Sequence, residues 1–226
     1  MTVYDVARKL PETDLLRDHC RGLAMLDAVL SPDWDGRYYS FDSRWSEGEE
    51  MASMRNGQGD EYSLVFSAAG VYIRGFSHES LMSPYGPLAD GSPWPGVLDS
   101  VPEAFRAYVE EPAFTDEGGV PVVTACLWRE PADTAWRTGA IDFPEEGDDP
   151  EDADGAGYLF ELLVDRSAEA YQEWAEDYYE TTVDLAAVRH VLALRPLTDS
   201  LVTALNPDTD LAARADDIAE IGYPTA

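Results

Sequence analysis

Between residues 37 and 76, apolar side chains recur at every second position in four successive segments: Tyr39, Phe41 and Trp45; Ala52 and Met54; Tyr62, Leu64 and Phe66; Val71 and Ile73. A period of two is the mark of strands that turn one face toward a core. Asn56-Gly57-Gln58-Gly59 and Ala68-Ala69-Gly70 lie between segments and supply residues that tolerate positive φ, as hairpin connections require. The block therefore reads as a four-stranded antiparallel meander. Tyr72, Arg74 and Phe76 have the opposite parity in the last segment, so its second face is expected to be partly covered as well.

On either side of this block the period changes. Leu16, Cys20, Leu23 and Leu30, with Leu15, His19 and Leu26 beside them, give a helix from Thr13 to about Leu30, with Asp14 at its positive end and Ser31-Pro32 stopping it. The residues before Thr13 read as irregular. Ser100-Val101-Pro102-Glu103 matches a capping box and predicts a helix carrying Phe105, Tyr108 and Val109. Residues 120–128 read as a β-branched strand and 136–143 as its hairpin partner. From residue 158 onward the pattern is helical: a short apolar segment to 164, then a helix from Ser167 with Tyr171, Trp174, Ala175 and Tyr178 on one stripe. Further helices are expected at 184–194, 198–205 and 209–221. The stripe is assigned to core packing. The expectation is a single α+β domain over residues 1–226, an antiparallel sheet of five to six strands covered by helices, with a helical C-terminal region at 158–222.

Composition changes the picture in one respect. Forty-five acids face fifteen bases, for a formal charge of −30, and Lys9 is the only lysine. Such a field repels nucleic-acid phosphates and anionic lipid heads and attracts basic protein surfaces. Nucleic acid and membrane are therefore not expected partners, and a basic protein is. The N-terminus has no apolar targeting segment and no stretch is long and apolar enough to span a bilayer, so a soluble cytoplasmic protein is expected. Cys20 and Cys126 stand far apart and read as two reduced core thiols.

Candidate chemistry is sparse. His78 and Glu79 stand where the meander ends and a Pro- and Gly-rich loop, 77–99, begins; Ser80 and Ser83 follow. Arg55 and Arg74 are scarce cations within the meander, and their first reading is the neutralisation of neighbouring acids; with His78 they form the expected polar lining of any pocket between sheet and loop. Asp152, Asp154 and Glu161, with Gly155 between, fit several positions of a calcium-binding loop, although Pro150 occupies the first ligand position. The intervening acid run at 145–154 reads as solvated and locally disordered. No nucleophile elbow, phosphate-cradling glycine loop, zinc-protease helix or paired-cysteine motif is present. The leading expectation is a non-enzymatic, cofactor-free acidic protein that covers a basic target, as an inhibitor or immunity protein does. The alternatives are an enzyme or small-ligand binder using the pocket residues, and calcium binding through the acidic loop.

Overall fold

The computed structural model describes residues 1–144 and 152–225. Most of the acid run, with Pro150, lies outside the described residues. Among the described residues six strands, Tyr39–Ser46 (β1), Glu49–Arg55 (β2), Glu61–Ser67 (β3), Gly70–Phe76 (β4), Ala125–Arg129 (β5) and Arg137–Thr138 (β6), form one antiparallel sheet in the order β1-β2-β3-β4-β5-β6. The helices are Val3–Lys9 (α1), Thr13–Leu30 (α2), Arg106–Val109 (α3), Ala156–Leu159 (α4), Glu161–Val164 (α5), Ala168–Tyr178 (α6), Leu185–Leu192 (α7), Asp199–Leu205 (α8) and Ala215–Ile221 (α9). The architecture is α+β, and the four strands of the meander fall where the alternating pattern places them. By contact the chain divides into two compact units, residues 1–13 with 55–161 and residues 14–54 with 162 onward.

In the first unit, β3, β4 and β5 are buried on both faces. Their register sets Tyr72 opposite Trp128 and Arg74 opposite Cys126, so these four share a face. There Tyr72 packs with Phe105 and Tyr108. The other face carries Leu64 and Ile73, with the Phe160 ring lying over Gly75: a Cβ at Gly75 would stand 2.7 Å from that ring. Helix α1, read from sequence as irregular, is held at its start by one distant carboxylate and one of its own. The Asp154 carboxylate accepts the Val3 N–H at 2.8 Å, and Asp5 accepts the Thr2 N–H at 3.1 Å.

Three expected elements are shorter than their patterns imply. Pro102 biases Val101 to extended backbone, so Ser100 stands outside the helix; a 3-10 turn at Glu103–Phe105 and the four residues of α3 replace the longer capped helix. Residues 120–122 turn back on 114–116, with Val122 N–H on Phe114 O at 3.0 Å, so β5 starts at Ala125. Beyond β6 the ladder stops because side chains take the backbone groups. The Tyr4 hydroxyl bonds Gly139 O and accepts from Ile141 N–H, and the Trp94 indole donates to Asp142 O.

In the second unit the apolar face of α2 is fully enclosed, and its terminal carbonyls are capped from far along the chain. Asn206 donates to Val29 O and Arg214 to Ala28 O, both at 2.8 Å, which places a cation at the negative end of the helix. Asp27, in the last part of α2, is completely buried. One of its oxygens accepts the N–H groups of Tyr38 and Tyr39 at 2.8 and 2.7 Å; the other accepts the Tyr171 hydroxyl at 3.1 Å. A single carboxylate thus ties α2, the start of β1 and α6 together. Burial pushes the Asp27 carboxyl up to about 6 against the opposing effect of those N–H bonds.

A raised carboxyl contributes stability that is complete below its unfolded value, 3.8, and is lost as pH rises through about 6. Asp27→Asn keeps one acceptor oxygen for the two N–H groups and cannot ionise. Relative to the native chain it should therefore become less destabilising by on the order of 2 kcal/mol between about pH 4.5 and about pH 7.5. Urea unfolding across that range measures this; parallel profiles for the two proteins would contradict the role given to Asp27.

Candidate functional site

The turn between β2 and β3 is built by Asn56, whose side-chain oxygen accepts the N–H groups of Gln58 and Asp60 at 2.8 and 3.1 Å. Glu61 is paired with Phe76, so the same register carried one step outward brings Asp60 to the end of β4, where His78 follows. The buried Asp60 accepts twice from His78 through one oxygen, from the ring Nδ1–H at 2.8 Å and from the backbone N–H at 2.9 Å. Its other oxygen accepts from Asn56 Nδ2 at 2.6 Å. Gly59, at φ +114°, lets the turn pass the imidazole, since a Cβ there would sit 3.3 Å from the ring.

These bonds fix the imidazole tautomer: Nδ1 carries the proton, and Nε2 of the exposed ring is left facing outward, 3.9 Å from the Glu79 carboxylate. The hydrogen bond to Asp60 raises the His78 pKa. The arrangement can hold and transfer a proton at Nε2. The two serines named from sequence are occupied locally: Ser80 donates to Ala153 O at 2.7 Å, and the buried Ser83 accepts the Tyr85 N–H at 3.3 Å.

The remaining expected pocket residues have other employment. Arg74 is almost fully buried, ion-paired with Glu61, bonded to Val122 O at 2.7 Å and stacked over Phe114 at 4.7 Å. It ties β3 and β4 to the 114–122 turn, whereas His78 is tied to Asp60. Arg55 lies exposed at the end of β2.

Of the expected calcium ligands, Asp152 accepts the N–H groups of Gly157 and Tyr158, and Asp154 those of Val3 and Ala156. Both carboxylates serve helix starts, and Glu161 is exposed on α5. Among the described residues no group of three or more His, Cys, Asp or Glu side chains is placed to hold a metal ion. Burial raises both thiols, Cys126 to about 12, so neither is a ready nucleophile. His19 is also withdrawn: it donates from Nε2 to Leu162 O at 2.7 Å, and burial pulls it down to about 4.

A second cluster, on the second unit, was assigned to core by its helical stripe. Tyr171 is buried as expected, but Tyr178 at the end of α6 is 41% exposed, stacked on Trp174 with centroids 5.2 Å apart. Tyr38 packs against both rings, at 4.8 Å from Trp174 and 5.0 Å from Tyr178. Four residues before Tyr38, Trp34 is 51% exposed on a 3-10 turn. The sequence signal that marks both is an aromatic beside acids, Asp33-Trp34-Asp35 and Asp177-Tyr178.

The cations show the opposite placement. Arg37, Arg74, Arg129 and Arg214 are each at most 9% exposed and all bonded within the protein. Others, Arg8, Arg17, Arg21, Arg137 and Arg189, are paired with carboxylates. Among the described residues no helix is long and apolar enough to cross a membrane.

Two measurements separate the roles of these residues. Arg74→Met should cost about 2–3 kcal/mol in denaturant unfolding, because it strips the part-buried Val122 O of its donor, breaks the ion pair of a buried guanidinium with Glu61 and removes the stack on Phe114. In a proton NMR titration, His78 should titrate above an ordinary histidine and fall in Asp60→Asn; an unchanged titration would remove the dyad. The scan against protein-family models, the search of curated proteins and the search of solved structures find no match to this chain.

Proposed function

We propose that this chain is a non-enzymatic cytosolic binding protein whose partner is a basic protein surface, acting as an acidic inhibitor or immunity protein does. The observation that carries the reading is the separation of charge by depth. With three acids for each base, the fold turns four arginines inward to hold a loop, a strand pair, a helix end and the α1 side of β5, and pairs others with surface carboxylates. What is left outward is predominantly negative. A field of that sign accelerates encounter with cationic partners and opposes polyanions.

The His78–Asp60 dyad supports a second reading, a small-ligand or acid–base site at the outer end of β4. It is favoured by the fixed tautomer and the outward Nε2. It does not draw on Arg74, which is occupied by Glu61 and Val122 O.

The two readings part experimentally. A labelled oligo-arginine peptide should bind the full chain at low salt, while an oligo-glutamate peptide should not. Affinity should fall by about tenfold or more between about 20 mM and about 200 mM salt as screening shortens the field. His78→Ala should leave that affinity unchanged. Absence of oligo-arginine binding at low salt, monitored by fluorescence anisotropy, would overturn the first reading.

A further inference from the structure

We infer that this protein engages a basic partner through two acid-flanked aromatic sites of the second unit, the Trp34 turn and the end of α6 at Tyr178, referred to together as the patch. It would receive arginine or lysine side chains of the partner between aromatic faces and carboxylates. The inference rests on the proposed basic-partner reading and adds a location and a recognition chemistry to it.

Large aromatic side chains at a surface are the residues that concentrate binding energy in protein interfaces, and a ring face also attracts a guanidinium or ammonium group. Trp34 and Tyr178 are two of the most exposed large apolar side chains of the second unit. Each is flanked by exposed carboxylates, Asp33 and Asp35 around Trp34, Asp177 and Glu180 around Tyr178. A cation brought to such a ring meets a π face and a negative charge together.

The patch is also held in place before any partner arrives. Arg37, just after the Trp34 turn, donates to Ser31 O at 3.1 Å and to Pro32 O at 3.0 Å and is paired with Asp217 at 2.7 Å, which pins the turn from beneath. The arginine of this segment therefore faces the interior, and the acids beside Trp34 face out. Tyr38 is fixed by its N–H bond to Asp27 and packs on Trp174 and Tyr178, so a buried carboxylate supports the Tyr178 site as Arg37 supports the Trp34 turn. Preorganised aromatic anchors lose little conformational entropy on binding.

The test separates aromatic recognition from net charge. Trp34→Ala combined with Tyr178→Ala alters no charge, so the global field is untouched. This double variant should bind labelled oligo-arginine about tenfold more weakly than the native chain at low salt. The charge-altering control Asp90→Lys with Glu117→Lys, both exposed in loops of the first unit, should change affinity by less than about threefold. Far-UV circular dichroism and the thermal midpoint check folding, and Trp34→Ala alone provides a second variant, at a turn whose residue is half exposed.

Native-like binding by both Trp34→Ala and the double variant would overturn the assigned patch while leaving the basic-partner reading in place. A control that weakens binding as much as the aromatic variants would do the same. Failure of the native chain to bind oligo-arginine overturns both.

Discussion

Fifteen cations serve forty-five carboxylates in this protein, and that scarcity orders much of the structure. A buried donor with several N–H groups is costly to place and useful once placed, because it can satisfy carbonyls that no ladder reaches. Arg214 closes the end of α2, Arg37 holds the 31–37 turn, and Arg74 joins the strand pair to a neighbouring turn. Arginine suits these positions because its planar fork reaches several acceptors at once and keeps its charge when buried. The structural use of cations and the negative exterior are thus one fact seen from two sides.

Buried carboxylates complement this arrangement. Asp27 and Asp154 are both fully enclosed, and each accepts backbone N–H groups that would otherwise be orphaned, at the start of β1 and at the starts of α1 and α4. Burial raises both carboxyls to about 6, so each holds its charge near neutral pH at a cost in stability. In the second unit the same enclosed group that organises the core also sets the position of Tyr38, and through it the exposed Tyr178. Core and proposed interaction surface therefore share a support.

The meander was legible because alternation is a local property: β1 to β4 each carry their own pattern, and glycine turns separate them. Helix α1 was not, since seven residues have little helical stability of their own and the group that holds Val3 lies 151 residues away. The short β6 was overextended from sequence because nothing local reveals that the Tyr4 and Trp94 side chains take the next backbone groups. His78 could be placed at a strand end, but Asp60 became its partner only through the β3–β4 register. Arg74 showed the right parity to face a covered layer, yet Glu61 and Phe114 are joined to it by pairing and packing rather than by spacing. Tyr178 continued a core stripe in sequence and emerges from it because α6 ends there.

The proposed recognition is localised on a negative surface rather than spread over it. Hydrogen–deuterium exchange of the full chain with and without oligo-arginine at low salt tests this most directly. Slowed exchange should be concentrated in residues 33–38 and 173–180, with the 56–60 turn and the start of the 77–99 loop unchanged. Protection spread evenly over exposed acidic segments of both units, or centred on His78, would contradict it.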